Sequence, residues 1–477
     1  MKRYIEGVER QSLCFPERLD DYISEDNPVR VIDVFVDGLD LEELGFARAE
    51  PAVTGRPCYP PAVLLKLYVY GHLNRVQSSR RLEAETQRNV EVMWLTGRLM
   101  PDYKTIADFR KDNGKAIVRV CAEFVQVCRE LGLLGDATVA IDGSKFKAVN
   151  NRDRNFTPAK MKTRLARLEK RITRYLLELD EADDQEQAAG AARLAQLKER
   201  IAVLQAEQQR LENLEQQMLE TPDQQLSLTD PDARSMTTRG QGIVGYNVQS
   251  AVESQHHLIV AHEVTNVGHD RGQLYPMAGQ ARAAMGREAL EATADRGYYN
   301  GEQIRACEAD GIEVYVPKPQ TSSSKAAGRF GKQDFVYDAD HDRYRCPAGQ
   351  WLERRSETVE DGQRLYSYRG TDAMCGACPL KAQCTTGKQR RIKRWEHEAI
   401  LDTVQARLGQ HPEMMTLRRR TVEHPFGTLK MWMGATHFLT KKLTGVSTEM
   451  SLHVLAYNLR RVINILGVSA LVNALAI

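Results

Sequence analysis

Residues 139–148 read VAIDGSKFKA, and the fold follows from how this stretch is read. A short apolar run, Val139-Ala140-Ile141, leads into Asp142 and is stopped at Gly143, the pattern of a buried strand that delivers a carboxylate at a turn. A second stretch, ATADRGYYN at 292–300, repeats the device with small residues, Asp295 and Gly297. Between the two, GYNVQSAVES and HHLIVAHEVT are alternating or apolar, β-branched segments joined by a short turn, hence a hairpin. HDRGQLYPMAGQARAAMG supplies the helix that follows. Strand with carboxylate, hairpin, helix, second strand with carboxylate predicts an α/β core with the two aspartates at adjacent strand ends.

A third acid stands in RRTVEHPFGTLK, residues 419–430. The segment has helical character, and Arg419, Glu423 and Lys430, four and seven apart, are expected to share one helix face. Pro425 is expected to kink or interrupt that helix. Three carboxylates gathered from distant positions can hold two divalent metal ions, which activate water and stabilise a leaving oxygen in phosphodiester cleavage. The flanking cations suit a polyanion. The chain carries a net charge of only +2 over its 477 residues, yet Lys388–Lys442 holds 12 Lys/Arg against 5 Asp/Glu. That local excess marks a phosphate-binding surface around Glu423. A solvated helix face is the plain alternative.

Arg419, Glu423 and Lys430 reproduce the pattern Arg-x3-Glu-x6-Lys, with Phe426-Gly427 between them. With Asp142 and Asp295, these motifs resemble the core of bacterial insertion-sequence transposases of the DDE class. Thr416 stands where the fuller signature has a tyrosine. The resemblance implies an RNase H-like catalytic core in which Asp142, Asp295 and Glu423 bind Mg²⁺ or Mn²⁺, two ions in all, while Arg419 and Lys430 hold DNA phosphates. It implies a DNA transposase that binds transposon ends and catalyses strand cleavage and strand transfer. Its partners would be double-stranded DNA, both terminal inverted repeats and target, and a second copy of the chain. Two alternatives stay open: an RNase H-like endonuclease without strand transfer, and a catalytically silent DNA-binding descendant.

The rest of the chain divides around this core. Residues 1–135 carry apolar residues at helical spacing, with a helix-turn-helix look around SSRRLE and PDYKTIADFRKDN. An all-α N-terminal domain for DNA binding or dimerisation is expected there; a helical cap supporting the sheet is the plainer reading. RRLEAETQRNVEVMWLTG reads as one helix stopped by Gly97. The core begins at 136–157, is interrupted at 158–220, resumes at 221–315, is interrupted again at 316–400 and closes at 401–477. In the first insertion Leu165, Leu168, Ile172, Tyr175 and Leu179, then Leu194, Leu197, Ile201, Leu204 and Leu211, predict an antiparallel coiled-coil hairpin.

The second insertion holds Cys346, Cys375, Cys378 and Cys384 and is expected to be loop-rich. Cys375-x2-Cys378 has zinc-knuckle spacing, and four thiols without histidine predict structural Zn²⁺; plain reduced thiols are the alternative. Cys14, Cys58, Cys121, Cys128 and Cys307 are scattered and read as reduced thiols. Asp230 and Asp232, in a DPD triplet, are rival metal ligands that read better as turn or cap residues. His424 and His262 are candidates for proton transfer, each with a structural role as the commoner alternative. Met1-Lys2-Arg3 is not followed by a signal-peptide core, and no apolar run is long enough to span a bilayer, so a cytoplasmic protein with no membrane partner is expected.

Overall fold

Val139, Ala140 and Ile141 lie at the centre of a six-stranded mixed sheet in the computed structural model, which describes residues 18–50, 57–183, 188–238, 240–319 and 323–476; Cys14 falls outside them. The strands are β1 (Thr138–Lys147), β4 (Arg234–Thr238), β5 (Gln241–Glu253), β6 (Ile259–Thr265), β7 (Leu290–Ala294) and β8 (Ile312–Tyr315), with two residues each in a separate pair, β2 (Asn155–Phe156) and β3 (Leu226–Ser227). The order is β4-β5-β1-β7-β8, with β6 also on β5. The long β5 runs antiparallel to β1 along one edge and shares its other edge between β4 and β6. β1, β7 and β8 are parallel. The register pairs Ile141 with Ala294, so the next residues, Asp142 and Asp295, stand side by side where β7 ends. Strand spacing of roughly 4.8 Å then fixes their separation before any side chain is considered.

The helices over residues 18–130 do not stand apart from this sheet. One apolar cluster runs from Ile23 through the sheet to Leu471. Helix Pro61–Leu73 is buried on almost every side, with Leu65, Leu67, Tyr68 and Val69 at 0% exposure, and packs on the long C-terminal helix Lys442–Leu466. Each such side chain contributes about 1.5–3 kcal/mol by leaving water. Helix Gly114–Glu130 packs on Lys442–Leu466 as well. The single helix expected over RRLEAETQRNVEVMWLTG is two, Ser79–Arg88 and Val90–Thr96. Asn89 divides them: its backbone is extended and its side chain accepts from Glu91 N and Val92 N, capping the second helix. Gly97, at φ +59°, closes that helix.

The 158–220 insertion is a pair of long helices, Pro158–Asp183 and Ala188–Leu219. Antiparallel pairing of β2 with β3 joins their bases, so the chain runs out and back. Met161, Leu168, Ile172, Leu204, Leu211 and Met218 bury the seam.

The 316–400 insertion is built of strands, not loops. β9 (Val336–Asp338), β10 (Arg343–Arg345), β11 (Trp351–Glu360), β12 (Gln363–Arg369) and β13 (Arg391–Trp395) form a separate antiparallel sheet in the order β13-β12-β11-β10-β9. Its strands are hard to see in sequence because arginine and glutamate take 11 of their 28 positions and break the apolar alternation. Among the described residues only Phe335, Tyr344, Leu352, Tyr368 and Ile392 make its buried core. Guanidinium–ring contacts supply further packing, with Arg354 3.6 Å over Tyr366 and Arg394 3.7 Å over Tyr337. Glu398, buried at the exit of β13, binds Lys332 at 2.7 Å and Lys318 at 3.3 Å and ties this sheet to the core.

Among the described residues no single helix is long and apolar enough to cross a membrane.

Candidate active site

Helix Glu413–Gly427 lies across β1 and β7 and presents Met414, Thr421, Val422, Pro425 and Phe426 to them. On this face sits Arg418. Its Nη2 donates to Asp142 Oδ1 at 2.8 Å and lies 3.8 Å from Asp295 Oδ2. The two predicted aspartates therefore converge on one cationic nitrogen. Arg418 Nε is buried without a hydrogen-bond partner, so this guanidinium is only partly satisfied where it stands. Asp142 is pushed up to about 6: burial raises it most, Arg418 opposes, and the charges of Asp295 and Asp270 add to the rise. Asp295 is more open, at 47% side-chain exposure, and its Oδ1 accepts from Gly297 N at 2.7 Å.

Beneath Asp142 the strand needs a glycine. A Cβ on Gly143 would lie 2.5 Å from Gln249 Nε2, 2.7 Å from Asp270 Oδ1 and 3.1 Å from the Tyr298 hydroxyl. Asp270 accepts from Asn247 Nδ2 at 2.7 Å and Gln249 Nε2 at 2.8 Å, with Lys145 Nζ at 3.4 Å. The Tyr298 hydroxyl donates to Gln249 Oε1, and burial, then the nearby carboxylates, holds its proton on well above the usual range. Asp270, Arg418, Gln249 and Tyr298 were not legible as site residues. Asp270 stands in the turn before a helix in sequence, and Arg418 is one of three consecutive arginines.

Glu423 is placed differently. It follows Arg418 by five positions, about 140° around an α-helix, and its side chain is exposed with no hydrogen bond or ion pair to the described residues. Arg419 is exposed too. Lys430 is turned inward: its ammonium donates to Ser144 Oγ at 2.6 Å and Lys145 O at 2.9 Å and lies 4.2 Å from the Phe146 ring centre. Pro425 explains the separation. It has no N–H for the carbonyl of Thr421, beside which His257 Nδ1 lies at 3.5 Å, and the helix continues as a π-turn at Thr428–Trp432. The wider turn rotates Lys430 off the Arg419–Glu423 face and onto β1. It also leaves Met431 77% and Trp432 68% exposed on the rim.

The remaining candidates have structural partners. Asp230 is fully buried, accepting from the Tyr246 hydroxyl at 2.8 Å and Lys442 N at 2.9 Å; Asp232 accepts from Leu443 N at 2.8 Å. Both cap the start of helix Lys442–Leu466 and satisfy its orphan N–H groups. His262 is buried against Ser451 Oγ at 2.8 Å, and burial pushes it down to about 4. His424 lies 3.3 Å from the Tyr457 hydroxyl, and burial lowers it as well. Cys346, Cys375, Cys378 and Cys384 line one cavity at the end of the five-stranded sheet. Among the described residues no group of three or more His, Cys, Asp or Glu side chains already stands in a metal-ligating array.

Two carboxylates thus meet at adjacent strand ends of a mixed α/β sheet, on the cation of a helix that carries a third acid, Glu423, on another face. The chain belongs to the insertion-sequence DDE transposases: the family model described as "Transposase DDE domain" matches residues 214–459, over half its length, and the model described as "Transposase domain (DUF772)" matches residues 17–112. Asp295 and Glu423 fall within the first match, and Asp142 between the two. Among solved structures, a piggyBac transposase synaptic complex with hairpin DNA aligns at TM-score 0.32 and 7% identity, covering 94% of this chain and 79% of that one. No curated protein matches.

Proposed function

We propose that this chain binds the ends of its own element and carries out metal-dependent cleavage and transfer of DNA strands on an RNase H-like core. The observation that supports this reading most directly is the convergence of Asp142 and Asp295 on a single cation, Arg418, in a chain of this family. An all-oxygen pair that already holds a positive charge fits a hard divalent ion such as Mg²⁺ or Mn²⁺. When bound, such ions activate water or a 3′-hydroxyl and stabilise the leaving oxygen.

The chain's own residues do the rest. Asp142 and Asp295 would hold the cations, with Glu423 as the third ligand taken from the sequence pattern. Arg418 offsets the repulsion between the two aspartates and holds them toward one point. The Gln249–Tyr298–Asp270 network fixes the backbone beneath Asp142. Arg419, exposed on the same helix as Glu423, would take a backbone phosphate, while the anchored ammonium of Lys430 adds positive field beside Ser144. Residues 1–135 would recognise the transposon end, two copies of the chain would pair on DNA, and the paired helices of 158–220 would form a coiled-coil arm.

A second reading has its own observation. Asp270 and Asp295 both have an oxygen within 4 Å of where a Cβ on Gly297 would stand, and Asp270 adds to the rise of Asp142, whereas Glu423 shows no such tie. It makes Asp270 the third carboxylate. Nicking of a labelled terminal-repeat duplex in Mg²⁺ decides between them. Glu423→Gln abolishes nicking and leaves end binding near wild type on the first reading. If Glu423→Gln nicks normally and Asp270→Asn does not, the second holds. If Asp142→Asn, Asp295→Asn and Glu423→Gln all nick normally, the function proposed is wrong.

A further inference from the structure

The five-stranded sheet has too small a core to hold its long connections, and the structure gathers four thiols where two of those connections meet. Cys346 begins the turn between β10 and β11. Cys375 and Cys384 lie on two short helices, Asp372–Gly376 and Lys381–Cys384, and Cys378 between them, all between β12 and β13. Segments as far apart as 346 and 384 therefore open onto one cavity of about 30 Å³, whose apolar wall includes Phe330, Leu352, Met374 and Leu380. That volume suits an ion or one to two waters and nothing the size of a nucleotide.

Three details around the cavity suit a negatively charged metal–thiolate group. Gln350 N lies 3.3 Å from Cys346 Sγ, and the turn is closed by Gly349 N on Cys346 O at 2.8 Å, with Gly349 at φ +78°. Such a turn aims a backbone N–H at the sulfur, as the supporting donors to metal-bound sulfur do. Arg390 donates to Cys384 O and Phe330 O at 3.0 Å each and so puts a guanidinium on the cavity wall. Its Nε is buried with no hydrogen-bond partner. A buried guanidinium N–H without an acceptor is costly unless something negative sits before it.

We infer that Cys346, Cys375, Cys378 and Cys384 bind one structural Zn²⁺ that cross-links the β10–β11 and β12–β13 connections, with Arg390 offsetting the negative charge of the tetrathiolate. Four thiolates around zinc carry a net charge of −2, and Arg390 supplies one compensating cation together with an N–H for a metal-bound sulfur. The ligand set has no histidine, carboxylate or open position, which makes the site structural and separate from the carboxylate pair. The thiols line the cavity without yet closing on a centre, so binding would draw the two connections together by small side-chain rotations.

The test uses the full chain, purified without added chelator. Elemental analysis is expected to find one zinc per chain, and cobalt exchanged for it to give thiolate-to-cobalt charge-transfer and tetrahedral ligand-field bands. Cys378→Ser should lose the metal; Cys58→Ser, a partly exposed thiol elsewhere, should keep it. Limited proteolysis should cut within 330–390 after zinc is removed by a mercurial and chelator, while the six-stranded core resists. This readout does not depend on cleavage activity, so it stands or falls apart from the proposed reaction. A folded wild-type chain that carries no zinc and takes no cobalt would overturn the inference. So would iron in place of zinc, or a Cys375–Cys378 disulfide in protein handled under reductant.

Discussion

The carboxylate pair and the thiol cluster differ in what holds them in place. Asp142 and Asp295 sit on neighbouring parallel strands whose flanking residues, Val139, Ile141, Ala292 and Ala294, are all at 0% exposure in the main core. Strand register sets their geometry without any ion. The thiols lie on turns and two short helices over a sheet with a small buried core. A large apolar core can preset ligands; a small charged sheet is, on the zinc proposal, closed by them. The first arrangement suits a site that loads and releases an ion during a reaction, the second one that keeps it.

The largest test of this contrast removes one ligand from each region. Asp142→Ala is expected to cut nicking by more than the roughly 10–100-fold typical of second-shell changes at a metal site, with the thermal transition of the core unmoved or raised. Cys378→Ser is expected to do the reverse, unfolding its own sheet first and reducing nicking only as that sheet's tie through Glu398 is lost. A Cys378→Ser chain as protease-resistant as wild type would show that both sites are preset.

Gly143→Ala comes next. The added Cβ would stand 2.5 Å from Gln249 Nε2 and 2.7 Å from Asp270 Oδ1, forcing the network beneath Asp142 to shift. Overpacking of this kind costs about 1–3 kcal/mol, read as a lower denaturant midpoint with unchanged slope. Nicking should fall with it, because the strand carrying Asp142 moves. An unchanged midpoint would mean that Gln249 swings aside and the network does not hold the strand.

How far the sequence reveals this molecule follows the same division. The apolar runs before Asp142 and Asp295, the hairpin of β5 and β6 and the helix Leu274–Met285 are all readable, because each is fixed by its own periodicity. The five-stranded sheet is not, since arginine and glutamate on its strands conceal the alternation, and aromatic–guanidinium packing replaces the usual apolar face. At the site, the aspartates are readable from strand-plus-glycine grammar. Arg418 is not, since neighbouring arginines differ only by the 100° step that decides which one meets the sheet. Asp270 belongs to a turn whose approach to Gly143 is purely tertiary. The inward rotation of Lys430 depends on the π-turn after Pro425, which helix spacing does not report.

The raised Asp142 gives a third test, in pH. Its proton is held up to about 6, above the ordinary carboxylate value, so the folded chain binds that proton more tightly than the unfolded one. The sign follows: the charged form costs folding stability above about pH 6, and below the ordinary carboxylate range the cost vanishes. Asp142→Asn should therefore stabilise the metal-free chain at pH 8 by roughly 1–2 kcal/mol after allowance for its partial exposure, and by little at pH 4. Added Mg²⁺ should stabilise wild type at pH 8 and not the variant. Equal effects at both pH values would mean that Arg418 fully neutralises Asp142 and burial costs nothing.

The smallest expected effect separates two cations that sequence alone treats as equals. Arg419 is exposed, so if it meets a backbone phosphate its loss removes one counterion-releasing contact. Arg419→Ala should weaken end binding modestly and reduce the slope of log K against log salt by about one, alike for specific and non-specific duplexes. Lys430 is already committed to Ser144 Oγ and Lys145 O and lies over Phe146. Lys430→Ala should leave the salt slope nearly unchanged and instead lower stability and nicking, because the strand end that carries Asp142 loses its clasp. A full unit of salt slope lost with Lys430 and none with Arg419 would reverse the assignment. It would mean that the ammonium leaves β1 when DNA binds, and that the π-turn opens with it.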